Sequence, residues 1–254
     1  MFSRFKRRSY QLERIDIGDY TPDEYEDCLV ELRRVNRWLG DARALSRSLL
    51  VELSQLGLKR FSVLDVGAGS GELLRVVSKW ARDNGRQARL VGLELNSRSA
   101  KAIREESDEV ISSVNADALE EPFVSDAFDY SMCSLFTHHL TEDQIVRLLQ
   151  ELSRVTKRRI FVIDLHRHPV AYFLYTTVAR LFLHNRLIRE DGALSILRSF
   201  KSDELQHLAE RAGLRQIKVK RSLPFRLVLS ASAQTSSSIE QDQAQSEQQL
   251  RLAS

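Results

Sequence analysis

An α/β fold, with a mostly parallel sheet covered by helices on both faces, is what this sequence predicts. Three observations carry the reading. From residue 61 onward, short β-rich apolar runs alternate with stretches whose apolar residues recur at helical spacing. The first of these runs, Phe61-Ser-Val-Leu-Asp65, passes through a turn with three glycines, Gly67, Gly69 and Gly71, directly into a helix marked by Leu73, Leu74, Val76, Val77 and Trp80. Successive strands then end on acids, which is where an open α/β sheet places its ligand.

The elements follow in order. Residues 1–20 read as a basic, poorly ordered arm. Thr21-Pro22-Asp23-Glu24 starts a helix, with Thr as N-cap, Pro at the first helical position and Glu placed to complete a capping box. Tyr25, Cys28, Leu29, Leu32, Val35, Trp38 and Leu39 form its apolar stripe, and a second helix over about 42–56 leads to the core strand. After the helix that ends near Asp83-Asn84-Gly85 come a strand over 88–94, a helix over 97–106, a strand reaching Asn115 and a strand over 129–133. Thr141 then caps a helix whose Ile145, Leu148, Leu149, Leu152 and Val155 share one face, and Ile160-Phe-Val-Ile-Asp164 supplies the fifth strand. A helical stretch from Pro169 to about Leu187 leads into Arg189-Glu-Asp191-Gly192. A further helix starts at Ser202 and stops at Gly213, and strands over 214–221 and 225–230 flank Pro224 as a hairpin. Residues 231–254, rich in Ser, Gln and Glu, read as a disordered tail.

Composition bounds the function. The 254 residues are 43% hydrophobic and 29% charged, as in a soluble globular protein, and a net charge of +3 announces no nucleic-acid partner. Cys28 and Cys133 are too few and too far apart for a disulfide framework or a zinc site and suit a reducing cytoplasm. The basic start lacks the apolar segment of a signal peptide, and the apolar run Val170 to Leu183 is too short to cross a membrane and contains Arg180. A cytoplasmic location is the expectation.

The glycine turn decides the cofactor. A dinucleotide fingerprint needs a third glycine where Glu72 stands, and no Gly-Lys-Ser/Thr phosphate loop follows. Asp65-x-Gly67-x-Gly69-x-Gly71 resembles the first motif of the class I S-adenosylmethionine (SAM) dependent methyltransferases, of the small-molecule type found in quinone and polyketide pathways. The acid after the second strand, Asp117-Ala118 after the third and Phe128-Asp129 opening the fourth match that family in turn; Glu94 stands where Asp is more frequent. The resemblance covers about residues 60–230. It implies a seven-stranded Rossmann-like methyltransferase sheet over 58–230, an N-terminal helical cover over 21–57 and an insert over 166–200 lining the acceptor site. It also implies SAM as cofactor, held by Asp65, Gly67, Ala68, Gly69, Gly71, Glu94, Leu95, Asp117, Ala118 and Ser134.

Chemistry assigns these residues their work. SAM carries a sulfonium and an ammonium but no phosphate, so acids at strand ends suit it. Glu94 can accept from both ribose hydroxyls and Asp117 from the adenine amino group, while the Ala118 N–H faces the ring and Gly67 and Gly69 let the methionine part lie against the backbone. After the fourth strand, Phe136-Thr137-His138-His139-Leu140 falls where an acceptor would reach the methyl group, and either His138 or His139 can take its proton. Asp164 could orient the acceptor. Tyr172, Phe173, Tyr175, Leu181 and Phe182 read equally as a wall of an apolar acceptor cavity or as core packing. His166 and His168 lack a third ligand at suitable spacing, so no metal is predicted.

Base-amino methyltransferases usually show Asn/Asp-Pro-Pro-Tyr after the fourth strand, where Ser134-Leu135-Phe136-Thr137 stands, and Cys133 lacks the preceding proline of a C5-methylating cysteine. The expected activity is therefore methyl transfer to oxygen or carbon of a small, apolar or aromatic acceptor. No nucleic acid is expected as partner, and at most peripheral membrane contact through the basic arm. A SAM-binding protein without turnover is the alternative.

Overall fold

Seven strands pair in the order β3-β2-β1-β4-β5-β7-β6. They are β1 (Arg60–Val66), β2 (Gln87–Glu94), β3 (Ile111–Asn115), β4 (Phe128–Ser134), β5 (Thr156–Leu165), β6 (Arg215–Ser222) and β7 (Arg226–Ser232). The computed structural model describes residues 2–38, 40–107, 109–120, 122–179 and 183–233, with side chains for these except 2, 3, 32–38, 178 and 179. The first five strands run parallel, while β7 lies antiparallel to both β5 and β6. The chain leaves β1 toward β2 and β3 and returns to β4 on the other side, so the order reverses beside β1. Ligands of open α/β sheets sit at that reversal, beyond the carboxyl ends of the strands.

Alternation along buried strands sends side chains to two cores. Leu64, Val66, Val91, Leu93, Ile160 and Val162 pack on one face against α7 (Glu142–Val155) and the helix Ser202–Arg211. Phe61, Val63, Leu90, Tyr130, Met132, Phe161 and Ile163 pack on the other, against α3 (Asp41–Ser46), α4 (Leu49–Leu56) and α5 (Glu72–Asp83). β1 is buried at every residue after Arg60, as a central parallel strand must be. Caps stand where the sequence placed them. Thr141 Oγ1 accepts from the Gln144 amide at 3.3 Å, and the Asn96 side chain accepts from Arg98 and Ser99 at the start of α6 (Ser97–Glu106). At the head of α2 (Pro22–Trp38), Thr21 and Glu24 exchange side chain-to-backbone hydrogen bonds of 3.0 and 3.2 Å.

Four features differ from the sequence reading. The helix expected over 42–56 is two, α3 and α4, broken where the Ser48 hydroxyl bonds back to the Ala44 carbonyl at 2.7 Å and so competes with helix continuation. The apolar stretch after Pro169 forms only the short α8 (Pro169–Leu174) and one π-helical turn, Tyr175–Ala179. In the same stretch, Arg189 to Gly192, placed beyond the end of the expected helix, lies inside α9 (Arg186–Arg198), where the missing Cβ of Gly192 makes room for the Tyr175 ring and the Tyr175 hydroxyl donates to the Ile188 carbonyl. β7 runs on to Ser232, with Ala231 fully buried and the Ala233 amide donating to Arg158, because residues 231–233 complete the ladder beside β5. The rest of the expected tail, 234–254, lies outside the described residues, as do the side chains of Leu32, Val35, Trp38, Leu39, Arg180, Leu181 and Phe182.

The fourth is the arm. Residues 1–20 were expected to be loose, yet α1 (Arg14–Ile17) docks on α9, and Phe5, Arg8 and Glu13 are buried. The Arg14 and Ile15 amides donate to the Asp191 carboxylate at 2.9 and 3.1 Å, and Ser9 N–H donates to the Leu197 carbonyl. Charge composition alone suggested a solvated segment; its partners lie more than 100 residues away.

A buried ion pair ties α3 to the end of the sheet. Arg226 donates to both carboxylate oxygens of Asp41, and both residues are almost fully buried. Removing one member leaves the other charged and dry. Arg226→Met is therefore expected to lower unfolding free energy by about 3–5 kcal/mol in denaturant titrations; a change below 1 kcal/mol would show the pair to be solvated.

Candidate active site

The β1–α5 turn is built from backbone that side chains rarely adopt. Gly67, Gly69 and Gly71 have φ of 66°, 55° and 85°. The Gly67 and Ala68 amides donate to the Leu93 carbonyl at 2.9 and 3.2 Å, which pins the turn to β2. Glu94, at the β2 end, accepts from the Gly69 amide and the Asn96 amide, each at 2.9 Å. A Cβ at Gly69 would meet nothing within 4 Å, so the turn is open there, whereas one at Gly67 would lie 2.8 Å from the Phe136 ring. Phe136 thus covers the backbone at Gly67, and Gly69 keeps the approach free.

Strand register brings the predicted residues to one edge of the sheet. Val66 is level with Leu93 of β2 and Cys133 of β4, so Glu94 and Ser134 each lie one residue beyond that line. Glu94 is level with Asn115, two residues before Asp117. Asp117 is half-buried and accepts from the Leu119 amide at 2.9 Å; Ala118 is buried, and Leu95 stands 69% exposed. Asp65 is buried with its Oδ1 lacking any hydrogen-bond partner. Burial, then the charges of Glu94 and Glu72, push its carboxyl well above the ordinary range. Burial also raises Glu94, against the pull of the Asn96, Gly69 and Leu95 amides. An orphaned acid beside a second acid and an open glycine cradle fit a cationic ligand that carries hydroxyls.

That arrangement has a cost in the ligand-free protein. A carboxyl whose folded pKa is raised favours folding below the usual carboxylate range and loses that contribution as pH rises through the raised value. Asp65→Asn is therefore expected to raise the melting temperature of the ligand-free protein increasingly as pH rises from 5 to 8 (about the range in which folded proteins are stable). A difference independent of pH would place the charge effect elsewhere.

The second half of the site follows β4. Thr137–His139 form one 3₁₀ turn against the end of β5. Asp164, fully buried, accepts from His138 Nδ1 at 2.6 Å, from the His138 amide at 3.1 Å, from the Thr137 hydroxyl and from the Leu165 amide. Burial pushes its carboxyl up, but the His138 charge and these donors outweigh burial and hold it at about 2. Asp164 is thus enclosed and orients His138 rather than an acceptor. The His139 ring stacks 4.3 Å from that of His138, is 25% exposed where His138 is 4%, and its Nδ1 lies 2.8 Å from Asp16 Oδ1.

Sequence reasoning missed the arm's part in this site. Glu13 is buried and raised to about 7, by burial first, with its Oε1 lacking a hydrogen-bond partner. Burial raises Asp16 too, but His139 and Arg198 outweigh it and leave its carboxyl lowered. Arg198, at the end of α9, donates to the carbonyls of His138 (3.0 Å), His139 (2.7 Å) and Gln11 (2.7 Å), and its guanidinium lies 3.1 Å from Asp16. Arg8 donates to the Arg198 and Leu140 carbonyls and stacks over Phe200. The available signal was an acid pair, Glu13-x-x-Asp16, inside an otherwise basic stretch.

Other candidates lie apart. His168 caps α8, its Nδ1 accepting from the Val170 amide at 3.2 Å; burial and then nearby cations lower the buried His166 to about 4. Tyr172 packs edge-on against Phe5, Tyr175 against α9, and Phe173 faces outward. A cleft of about 450 Å³ between the arm, α8 and α9 is lined in part by Leu12, Ile17, Tyr172, Leu194 and Leu197.

The sheet order with its reversed β7, and a glycine turn flanked by acids at neighbouring strand ends, define the class I methyltransferase fold. Residues 63–159 match the family model described as a methyltransferase domain. Solved structures share the fold at low identity. The SAM-dependent methyltransferase of Aquifex aeolicus is 16% identical with a TM-score of 0.54, over 79% of this chain and 97% of that one. Magnesium protoporphyrin IX methyltransferase of Synechocystis PCC 6803 with bound SAH gives 13% and 0.53, over 76% and 83%. The CurJ carbon methyltransferase gives 13% and 0.63, over 91% and 66%. No curated protein sequence matches the chain. No helix among the described residues is long and apolar enough to cross a membrane.

Proposed function

We propose that the chain is a class I SAM-dependent methyltransferase, with SAM its cofactor, that acts on the oxygen or carbon of a small, apolar or aromatic acceptor whose proton is taken by His139. The observation that carries the reading is the His139–Asp16 pair. It is a partly exposed imidazole with one nitrogen tied to a carboxylate 2.8 Å away, one turn beyond the strand end that carries Ser134. A carboxylate accepts only, so the Nδ1 proton points to Asp16 and the Nε2 lone pair is left for the acceptor. His138, enclosed by Asp164, fixes the neighbouring ring.

On the cofactor side, Asp65 and Glu94 face the positive charge and the ribose hydroxyls, Gly69 admits the methionine part, and Asp117, Ala118 and the exposed Leu95 bound the adenine. SAM supplies an activated methyl carbon. The chain holds the acceptor in line with it, takes the acceptor proton and excludes water.

The test is conversion of SAM to S-adenosylhomocysteine with a panel of phenolic, enolic and lipidic acceptors, alongside oligonucleotides. Turnover confined to ionisable phenols and enols is expected. Turnover on oligonucleotides alone would overturn the acceptor class, and SAM binding without turnover on any acceptor would favour a non-catalytic SAM-binding protein.

A further inference from the structure

We propose that Glu13, His138 and His139 together bind one divalent transition-metal ion, of the zinc or cobalt kind, on the acceptor side of the site. One ligand atom from each lies within 4.8 Å of the other two, and among the described residues they are the only three metal-competent side chains so gathered. Glu13 and His138 are buried and His139 is partly so.

Three further observations point to a ligand. Each imidazole has its Nδ1 tied to a carboxylate, His138 to Asp164 at 2.6 Å and His139 to Asp16 at 2.8 Å. That arrangement fixes the tautomer and leaves Nε2 of each ring free to ligate, which is how metal-binding histidines are generally supported; Glu13 Oε2 approaches His139 at Nδ1, 3.9 Å away, so the His139 ring must turn to bring Nε2 to the ion. Glu13 is 2% exposed, and its Oε1 has no hydrogen-bond partner; the nearest cation, Arg198 Nε, stands at 3.6 Å. A buried acceptor atom without a donor is the kind of group an ion satisfies. The donor set, two imidazoles and one carboxylate, selects borderline ions over magnesium or calcium, which take oxygen ligands.

Ligands about 2.1 Å from zinc stand about 3.4 Å apart, so atoms now within 4.8 Å of one another must close by at most about 1.4 Å. Glu13 lies on the docked arm and can make that movement from its own segment. Three protein ligands leave a fourth position open to water or to an anionic oxygen.

Binding itself does not depend on the functional reading, but its consequence rests on it. If His139 is the base, coordination takes the lone pair that the acceptor proton needs, and the ion inhibits.

The experiment uses the full-length chain without a histidine tag, titrated with Zn²⁺ against a chromophoric chelator, and with Co²⁺ read by its visible bands. One equivalent is expected to bind the parent protein. Glu13→Gln and His139→Ala are each expected to weaken binding at least about tenfold, with SAM affinity measured in parallel to show an intact fold, and Asp16→Asn to weaken it by a similar factor through the ring it orients. Absence of stoichiometric binding by the parent protein, or binding that both Glu13→Gln and His139→Ala retain, overturns the site. An occupied protein that still methylates at full rate would support the metal site and remove His139 as base, so the two readings fail separately.

Discussion

Gly69→Val is expected to weaken SAM binding by at least about a hundredfold, equivalent to roughly 2.7 kcal/mol, while the protein remains folded. Two effects add at this position. The residue sits at φ 55°, where a β-branched side chain is strained by about 1–3 kcal/mol. Its side chain would also grow into the space that is empty of protein within 4 Å, the opening through which a ligand reaches the turn. The strain is shared by free and bound protein and lowers the melting temperature by several degrees, whereas the steric loss appears only in binding. Gly67 provides the contrast. A Cβ there strikes Phe136 at 2.8 Å, so Gly67→Ala is expected to act mainly on stability by displacing that ring. Calorimetric titration with SAM and thermal melts of both variants separate the two cases. Equal SAM affinity in Gly69→Val and parent protein would remove the glycine turn from the cofactor site.

His139→Ala is expected to lower kcat by about 10²–10⁴, the usual contribution of a positioned proton acceptor, with SAM affinity within a factor of about three. Asp16→Asn keeps the ring but removes the carboxylate charge that orients it. Its rate is expected to fall less, by about 10–100-fold. His138→Ala is expected to behave differently. It strips a fully buried carboxylate of the ring that holds it at about 2, so the main effect is a loss of about 3–5 kcal/mol in stability. Unchanged kcat in His139→Ala on an acceptor that the parent protein methylates would exclude histidine from the proton transfer.

The arm is where sequence and structure diverge most. Read locally, residues 1–20 are a basic segment with little apolar material, and no period marks a docking face. Asp16 meets His139 across 123 residues of chain, and Arg198 gathers Gln11 of the arm and the His138-His139 pair from two separate segments. α9 was missed for a related reason. Its enclosed positions include Asp191, Ser195 and Arg198 as well as Leu187 and Ile188, so burial leaves no single apolar stripe to read. The central strands and helices were legible because each is written in contiguous residues, by strand length, cap and apolar period.

By itself the sequence determined the alternating α/β order, the glycine turn after β1 and the acids that end β1 and β2. Those features arise from backbone freedom at glycine and from side chains within a few residues of one another. Only the tertiary structure decided which histidine stands open and which is enclosed, and which carboxylate each ring faces. It also decided that an apparently loose N-terminal arm docks on α9 and reaches His139 through Asp16. Such pairings join residues far apart in the chain, and the distances between them exist only once the sheet and its covering helices have packed.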